Sequence, residues 1–352
     1  MSSVANYVLA ALGLALLMVV HEGGHYLAAR KFGMRVIKFS IGFGPTLWKH
    51  KPKDSPTVYQ VAIIPFLAYV QIAGMNPYEE IDPKDPGSYA NASLWARTVT
   101  IAAGPLTNYF FASILLFAGF MIGGKEVADE ASMRVQVVPT GAAATAGMLD
   151  NDKLLTVNGE AIASWDDLKR VVGSHAGDTI DVVIERNGEQ IHKAVTPGAA
   201  GEKNAGKILI SPSSRNEKVS VGEAARLSVI GPPIVVYDTL EAIGGLIKGL
   251  VTGKGKAEVS GPVGIVNETA KQAALGPDRL LKFLGALSAY LGAFNLLPFP
   301  ALDGGRLMFL GIEAASRRRP DAKLEARVHA LGLLVLLGVI AVVTYLDVRP
   351  HH

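Results

Sequence analysis

The chain has 352 residues, of which 49% are hydrophobic and 18% charged, and its formal net charge is +3. A mean hydropathy of +0.30 is too high for an ordinary soluble enzyme and indicates an integral membrane protein. The absence of cysteine excludes disulfides and thiolate metal sites, so any metal must be bound by His, Asp or Glu. No Lys/Arg tract interleaved with aromatic residues occurs, so the sequence gives no support for nucleic acid as a partner.

The first predicted element is a retained membrane helix. An apolar run from Val4 to Val20 continues in a helical pattern to about Arg30, which is enough to cross a bilayer. It lacks the basic leading segment and the cleavage site of a signal peptide. The run ends in the motif HEGGH, with His21, Glu22 and His25. Ionisable groups at membrane depth are costly and usually functional.

Residues 34–75 predict a membrane-associated β-hairpin or sheet. The stretches MRVIKFSIGFGPTLW and TVYQVAIIPFLAYVQIAG carry β-branched and aromatic residues at strand-like spacing. Non-helical backbone at membrane depth is stable only where protein or a water-filled cavity shields it. A second span follows over Thr98–Gly124, with Gly104, Pro105 and Asn108 near its start. We therefore expect residues 1–125 to form an N-terminal membrane core with two transmembrane helices.

Residues 126–200 have the composition of a soluble α+β domain. Short β runs alternate with turns around one helical pattern, SWDDLKRVVGS, in which Ser164 and Asp167 predict a capping box. Residues 201–278 predict a linker followed by amphipathic helices. Within them, residues 225–252 are apolar but interrupted by prolines and acidic residues, so they predict an interfacial helix, with a fifth span as the alternative.

Residues 279–352 predict a C-terminal membrane core with a third span, Leu280–Leu297, and a fourth, Val328–Leu346. Lys and Arg concentrate after span one and between spans three and four. Because short basic loops are cytoplasmic, four spans place both termini and the soluble domain on the opposite side. The sequence thus predicts a multi-pass α-helical membrane protein with about four transmembrane helices, a membrane-associated β region and an inserted α+β domain.

The motif HEGGH predicts a zinc site. His21 and His25 are four residues apart, which places both imidazoles on one face of a helix, and Glu22 can then act as general base. Catalytic zinc takes three protein ligands, so a third must come from elsewhere. The candidate is Asp303 in NLLPFPALDGGRL, for which an ordinary turn aspartate is the alternative. In the same stretch, Asn295 could bind substrate or serve as a helix-packing amide.

Three motifs together resemble one known family. HEGGH in the first span, AGPLTN (103–108) in the second and NLLPFPALDGG in the third resemble the site-2 protease family of zinc intramembrane metalloproteases, specifically its bacterial RseP-like branch. The soluble segment AATAGMLDNDKLLTVNGEAI resembles a PDZ domain, for which an unrelated small β domain is the alternative. SGPVGI (260–265) also resembles a family motif. Many RseP-like members have two PDZ domains, whereas only one fits this chain.

The resemblance implies zinc bound by His21, His25 and Asp303, with Glu22 activating water to cut a peptide bond inside a membrane-spanning substrate. It also implies that Asn295 engages the substrate. The implied partners are the lipid bilayer and single-span membrane proteins, such as anti-sigma factors or remnant signal peptides, already trimmed by an upstream site-1-type protease. The implied location is the bacterial inner membrane, with the PDZ-like domain outside the cytoplasm.

Cleavage requires an extended peptide, because the backbone amides of a helix are hydrogen-bonded within the helix and are sterically shielded. The strand-like segment Val36–Ala73 could supply an edge to which an unwound substrate adds as a strand. The substrate-binding candidates are Val70 and Ile72 on this segment, Gly74 directly after it, and Asn108 and Asn295. The alternative is a structural hairpin that fills the helix bundle.

Two functions of other classes remain open. A membrane-anchored PDZ adaptor without catalysis would bind no zinc, and the zinc content of the pure protein distinguishes it from a protease. A metal transporter would carry polar residues across more than one span, whereas here they lie mainly at one edge.

Overall fold

The computed structural model describes residues 3–64, 68–76, 78–79, 82–199, 201, 204–252 and 261–348. They form two compact units, residues 1–123 with 219–352, and residues 124–218. The helices are α1 (Ser3–Lys31), α2 (Leu94–Gly123), α3 (Ala142–Thr145), α4 (Trp165–Gly173), α5 (Val221–Thr252), α6 (Pro262–Leu275), α7 (Pro277–Asn295), α8 (Asp303–Ser316) and α9 (Ala322–Val348). The strands are β1 (Val36–Ile41), β2 (Phe43–His50), β3 (Val58–Ile64), β4 (Tyr69–Ile72), β5 (Lys125–Ala128), β6 (Val135–Val137), β7 (Lys153–Val157), β8 (Glu160–Ala161), β9 (Ile180–Arg186), β10 (Glu189–Val195), β11 (Ile210–Pro212) and β12 (Ser214–Glu217).

Three helices in the described part of the chain are long and apolar enough to cross a membrane, namely α1, α2 and α9. They match the first, second and fourth predicted spans. Helix α7 occupies the place of the third, but it has 19 residues and carries Asp278, Arg279 and Lys282 in its first two turns. The protein is therefore a multi-pass membrane protein, and the third predicted span, at α7, stays a prediction.

The region after α1 is a four-stranded mixed sheet with the order β2-β3-β1-β4. The prediction of strands is confirmed, but a simple hairpin is wrong, because β1 pairs in parallel with β3 and antiparallel with β4. The reason is that β1 is an interior strand, buried at Val36 and Ser40, whereas β2 is an edge strand whose residues are all exposed. The sheet packs on α1 and α2 through a core that includes Ala29, Met34 and Ile101.

Small residues let the helices of the first unit pack closely. At Gly24 of α1, a Cβ atom would overlap the carbonyl of Ala103 in α2. At Gly292 of α7, a Cβ atom would lie 2.9 Å from the carbonyl oxygen of Pro105. Helix α2 therefore packs between α1 and α7 with its backbone near both, which is typical of membrane helix interfaces.

The region predicted as an interfacial helix, residues 225–252, lies within one continuous helix, α5, that contains Pro232 and Pro233. It packs against α2 and α7. Helix α6 begins inside the predicted SGPVGI motif, of which Ser260 lies outside the described residues. The Asp347 carboxylate near the end of α9 accepts the backbone N–H groups of Gly261 and Gly264 at 3.0 and 2.9 Å. This carboxylate satisfies N–H groups at the start of α6 that have no partner within the helix.

The second unit consists of a four-stranded sheet of order β10-β9-β7-β8 and two two-stranded sheets, β11-β6 and β12-β5. The capping box is confirmed, because Ser164 Oγ accepts the N–H of Asp167 at 3.1 Å at the start of α4. The linker predicted from residue 201 onward is wrong over residues 210–217. These residues form β11 and β12, which return to pair with β6 and β5. Their short, Ser-rich sequence hides a pairing that depends on partners more than 70 residues away.

Candidate metal centre

The two histidines of HEGGH lie on one face of α1, and both are buried. Asp303, the first residue of α8, meets them although it is almost 280 residues away. Its Oδ2 atom lies 3.1 Å from His21 Nε2 and 3.2 Å from His25 Nε2, and the two Nε2 atoms are 3.3 Å apart. The structure thus brings together the three predicted ligands.

The triangle of ligand atoms fits a zinc ion. Bonds of roughly 2.0–2.1 Å to a tetrahedral zinc place neighbouring ligand atoms about 3.3 Å apart, close to the three observed separations. The Asp303 Oδ2 atom is buried and has no hydrogen-bond donor among the described residues. A carboxylate oxygen facing two ring nitrogens without a donor is an environment that favours a cation.

The tautomer of His25 is fixed by α2. Its Nδ1 atom lies 2.8 Å from the carbonyl oxygen of Thr100, which can only accept a hydrogen bond, so Nδ1 carries the proton. In the neutral ring, Nε2 then presents a lone pair toward Asp303 and His21. Gly104, one turn further along α2, lies so close to this ring that a Cβ atom would overlap Nε2.

His21 is oriented by Asn108 of α2, which is fully buried. The Asn108 amide nitrogen lies 3.1 Å from His21 Nδ1, while the amide oxygen is buried without a partner. Amide oxygen and nitrogen are assigned from such networks, and a reversed amide would place the Asn108 oxygen against His21 Nδ1. Nδ1–H then donates to Oδ1, which leaves Nε2 free to bind metal. This burial favours a positioning role for Asn108 over the predicted substrate contact.

Glu22 lies beside the three ligand atoms and is bonded to the sheet. Its Oε2 atom accepts the backbone N–H of Val70 in β4 at 3.1 Å. This bond places the carboxylate between the metal site and the edge of the sheet. A carboxylate in that position can reach both a water molecule at the metal site and a peptide on the edge strand.

Two of the predicted substrate-binding residues, Val70 and Ile72, lie on an edge strand, because β4 has a neighbour on one side only, and Gly74 follows two residues after it. The N–H of Ala73 points inward to the carbonyl of Arg35, so the N–H groups of Val70, Ile72 and Gly74 point outward. The N–H of Gly74 donates to the Glu79 carboxylate at 3.2 Å. Two outward donors are thus held by carboxylates instead of by another strand.

Asp303 is held in place by its own loop and by α2. At Gly304 a Cβ atom would overlap the carbonyls of Leu296 and Leu297, so the start of α8 packs tightly on this loop. Further along α8, Glu313 forms a bidentate ion pair with Arg97 of α2, at 2.9 and 2.5 Å. Helix α2 therefore orients all three ligands, through Thr100, Asn108 and Arg97.

The loop before Asp303 also contains a strained residue that the sequence did not reveal. Ala301 has φ +80°, a left-handed conformation that costs a non-glycine residue about 1 kcal/mol or more. Its N–H donates to His329 Nδ1 of α9 at 2.9 Å, which holds the loop. Asn295 lies at the end of α7, where its side-chain amide donates to the Leu291 carbonyl at 3.0 Å. The structure does not bring Asn295 into the ligand cluster.

Sequence reasoning missed Thr100 and Arg97, and it named Gly104 without predicting the contact of Gly104 with His25. Thr100 acts through a backbone carbonyl and Gly104 through its missing side chain, so neither carries a chemical signal in the sequence. Arg97 offered a detectable one, because an arginine at the start of an apolar span needs an acidic partner.

Comparison with known proteins agrees with this geometry. The model of peptidase family M50 matches residues 9–339. The zinc metalloprotease RasP of Geobacillus kaustophilus is 29% identical over 409 residues, covering 95% of this chain and 95% of the relative. The regulator of sigma-W protease RasP of Bacillus subtilis is 28% identical over 415 residues, covering 95% of this chain and 96% of the relative.

The family match covers nearly the whole chain, including both histidines, Glu22 and Asp303. The resemblance to the site-2 proteases is therefore confirmed. The chain belongs to peptidase family M50, the site-2 protease family, and is a zinc metalloprotease.

Proposed function

We propose that this protein hydrolyses peptide bonds within the membrane-spanning segments of single-span membrane proteins, with zinc bound by His21, His25 and Asp303. The observation that carries the proposal is the convergence of three ligand atoms, with the Glu22 carboxylate bonded to an open strand edge beside them. A catalytic zinc site needs three protein ligands and an open fourth position. A strand edge beside it provides a place for an extended peptide.

Zinc, when bound, polarises the scissile carbonyl and makes a water molecule beside it more acidic. Glu22 accepts the proton of that water and passes it to the leaving amine. Thr100 and Asn108 keep the two imidazoles in the tautomer that leaves Nε2 free. The first proton transfer requires the Glu22 carboxylate to be unprotonated when the peptide arrives.

The substrate adds to β4 as an extended strand. Its carbonyl groups take the outward N–H groups of Val70, Ile72 and Gly74, replacing Glu22 and Glu79 as acceptors. Release of the Val70 N–H then frees the Glu22 carboxylate for proton transfer. Asn295, at the end of α7, remains a candidate for a further substrate contact.

The second unit is a single PDZ-like domain outside the cytoplasm that filters or docks substrates. The predicted core folds as α3, a turn with Asn151 in a left-handed conformation, β7 and β8. Four spans, with α7 as the third, place the basic segments cytoplasmic and this unit on the other side of a bacterial inner membrane. Helix α5 then lies along the interface, because Asp238 and Glu241 interrupt its apolar sequence.

The substrate class follows from the relatives. One of them is named a regulator of sigma-W protease, which supports anti-sigma-factor-type substrates for this chain. Remnant signal peptides have the same single-span form. Both kinds reach the enzyme after an upstream protease has removed the extracytoplasmic part.

The test is incubation of detergent-purified protein with a set of single-span peptides, followed by mass spectrometry of the products. We expect cuts inside the apolar segment that stop when a chelator is added and resume with zinc. Cuts only in the polar flanks would contradict the intramembrane assignment. Stoichiometric zinc without cleavage of any peptide would favour a metal transporter, and absence of zinc would favour an adaptor.

A further inference from the structure

A cavity of about 470 Å³ lies beyond the Gly74 end of β4. We call it the Arg306 pocket; its charged or titratable lining residues are Arg306, Arg319, Glu325, His329 and Tyr89. It is formed by the start of α8, the segment before α9 and the first turns of α9. None of these five charged or titratable residues is part of the proposed metal site or acts in the proposed chemistry.

The charges of the Arg306 pocket are not balanced. Two guanidinium groups, Arg306 and Arg319, face one carboxylate, Glu325, whose only ion-pair contact among the described residues is His329 at 4.0 Å. Arg319 donates to the carbonyl oxygen of Ala90 at 2.5 Å, a neutral partner. Arg306 is half-buried, and within the described part of the chain no carboxylate lies within ion-pair distance of it. A half-buried guanidinium without an acidic partner favours an anionic ligand.

The pocket continues the strand edge that the substrate uses. Gly74 lies two residues beyond the end of β4, lines the pocket, and directs its N–H outward to the Glu79 carboxylate. Val70, at the other end, donates to Glu22. Gly74 comes four residues after Val70; the chain leaves the strand after Ile72 and turns at Gly74, which has φ +68°. A substrate residue near Gly74 is therefore about four positions along the peptide from the substrate residue opposite Val70. This holds whether the peptide runs parallel or antiparallel to β4.

We propose that the Arg306 pocket binds the carboxylate of an Asp or Glu side chain of the substrate, about four residues from the scissile bond. The inference rests on the proposed function, because strand addition to β4 sets this spacing. The lining carries a net charge of one positive unit, which matches one carboxylate better than a lipid phosphate. Its continuity with the edge of β4 also favours a peptide over a lipid.

The experiment uses the full chain in phosphatidylcholine vesicles and single-span peptides that differ at one position. Asp, Asn or Lys is placed three, four or five residues from the cut, on the flank opposite Gly74. The variants are Arg306→Gln and Arg319→Gln, with Arg318→Gln as the matched control. Arg318 is an exposed arginine of the same basic segment and does not line the pocket.

For the unchanged protein we expect kcat/KM for the best Asp peptide to exceed that for its Asn counterpart about tenfold. Arg306→Gln should reduce this ratio to about one, Arg319→Gln should reduce it partly, and Arg318→Gln should leave it unchanged. Turnover of the Asn peptide and zinc content should stay the same in all three. An equal Asp preference in Arg306→Gln, or an equal loss for every peptide, would overturn the proposal.

Two further measurements separate the possible failures. If anionic phosphatidylglycerol vesicles change turnover of the Asn peptide, and only when Arg306 is present, the pocket binds lipid phosphate and the proposal is wrong. Peptide affinity for the Glu22→Gln form, measured by fluorescence anisotropy, does not require turnover. If no peptide is cleaved, the proposed function fails, and the ratio of Asp to Asn affinity still decides whether the pocket binds a carboxylate.

Discussion

Glu22 has a role at the residue scale that can be separated from metal binding. Its carboxylate accepts the Val70 N–H and is not one of the three ligand atoms. Glu22→Gln should therefore keep its zinc while cleavage falls by about 10²–10⁴-fold, because a glutamine cannot accept the proton. Zinc analysis and a peptide-cleavage assay on the same sample test this prediction.

The control for Glu22→Gln is Glu79→Gln, which changes the other carboxylate that accepts an N–H of β4. This variant should retain both zinc and cleavage. If Glu22→Gln lost zinc, Glu22 would have to be reassigned as a ligand or as a structural group.

Asn108 provides a test of the hydrogen bond to His21. If Asn108 Oδ1 accepts the Nδ1–H of His21, Asn108→Leu should weaken zinc binding by about 10–100-fold, the usual effect of removing such a partner. Asn108→Asp keeps an acceptor in the same place and should retain most of the affinity. Competition with a fluorescent chelator gives both affinities. Equal losses in the two variants would mean that the amide nitrogen makes the contact.

Helix α2 is the element that assembles the centre, and its glycine makes this testable. Gly104→Ala should reduce both zinc content and cleavage, because the added methyl group would overlap His25 Nε2. Gly23→Ala is the matched control, since a Cβ atom there meets nothing within 4 Å. Both changes raise helix propensity equally, so propensity cannot explain a difference between them. Similar zinc content in the two variants would contradict the close packing of α2 on His25.

The sequence revealed some of these elements and not others, for physical reasons. The long apolar runs of α1, α2 and α9 allowed their positions in the sequence to be predicted, because a helix needs about 20 apolar residues to cross a bilayer. The pairing of β1 with β3 was hidden, because strand order depends on burial of Val36 and Ser40 and not on chain order. The metal ligands were predictable since each has a side chain with suitable chemistry. The contacts of Thr100 and Gly104 with His25 were not, because Thr100 acts through its backbone carbonyl and Gly104 through the absence of a side chain.

At the scale of the whole molecule, the second unit has an ion pair that ties its stability to pH. Burial by itself would raise the pKa of Asp152, but hydrogen bonds from Arg186, at 2.7 and 2.8 Å, and from the Leu149 N–H lower that pKa below its ordinary value. A group whose pKa is lowered by folding stabilises the protein above its unfolded pKa of 3.8. This stabilisation is lost as the pH falls through the lower, folded pKa.

We expect the amides of residues 124–218 to lose hydrogen-exchange protection as the pH falls below about 4, after correction for the intrinsic exchange rate. Asp152→Asn should remove part of this pH dependence and destabilise the unit by about 1–3 kcal/mol at neutral pH. Exchange measured by mass spectrometry on the full chain tests both effects. Asp166→Asn, at an exposed acidic residue of the same unit, should change neither. An unchanged pH profile in Asp152→Asn would show that other groups govern the acid sensitivity.

The central claim is that α1 and α8 supply ligands to one zinc ion. Anomalous scattering at the zinc edge, from crystals of the zinc-loaded full chain, tests it most directly. We predict one strong peak at roughly 2.0–2.2 Å from His21 Nε2, His25 Nε2 and an Asp303 carboxylate oxygen. A bound zinc ion located elsewhere, or coordinated by the histidines while Asp303 stays out of reach, would contradict the account.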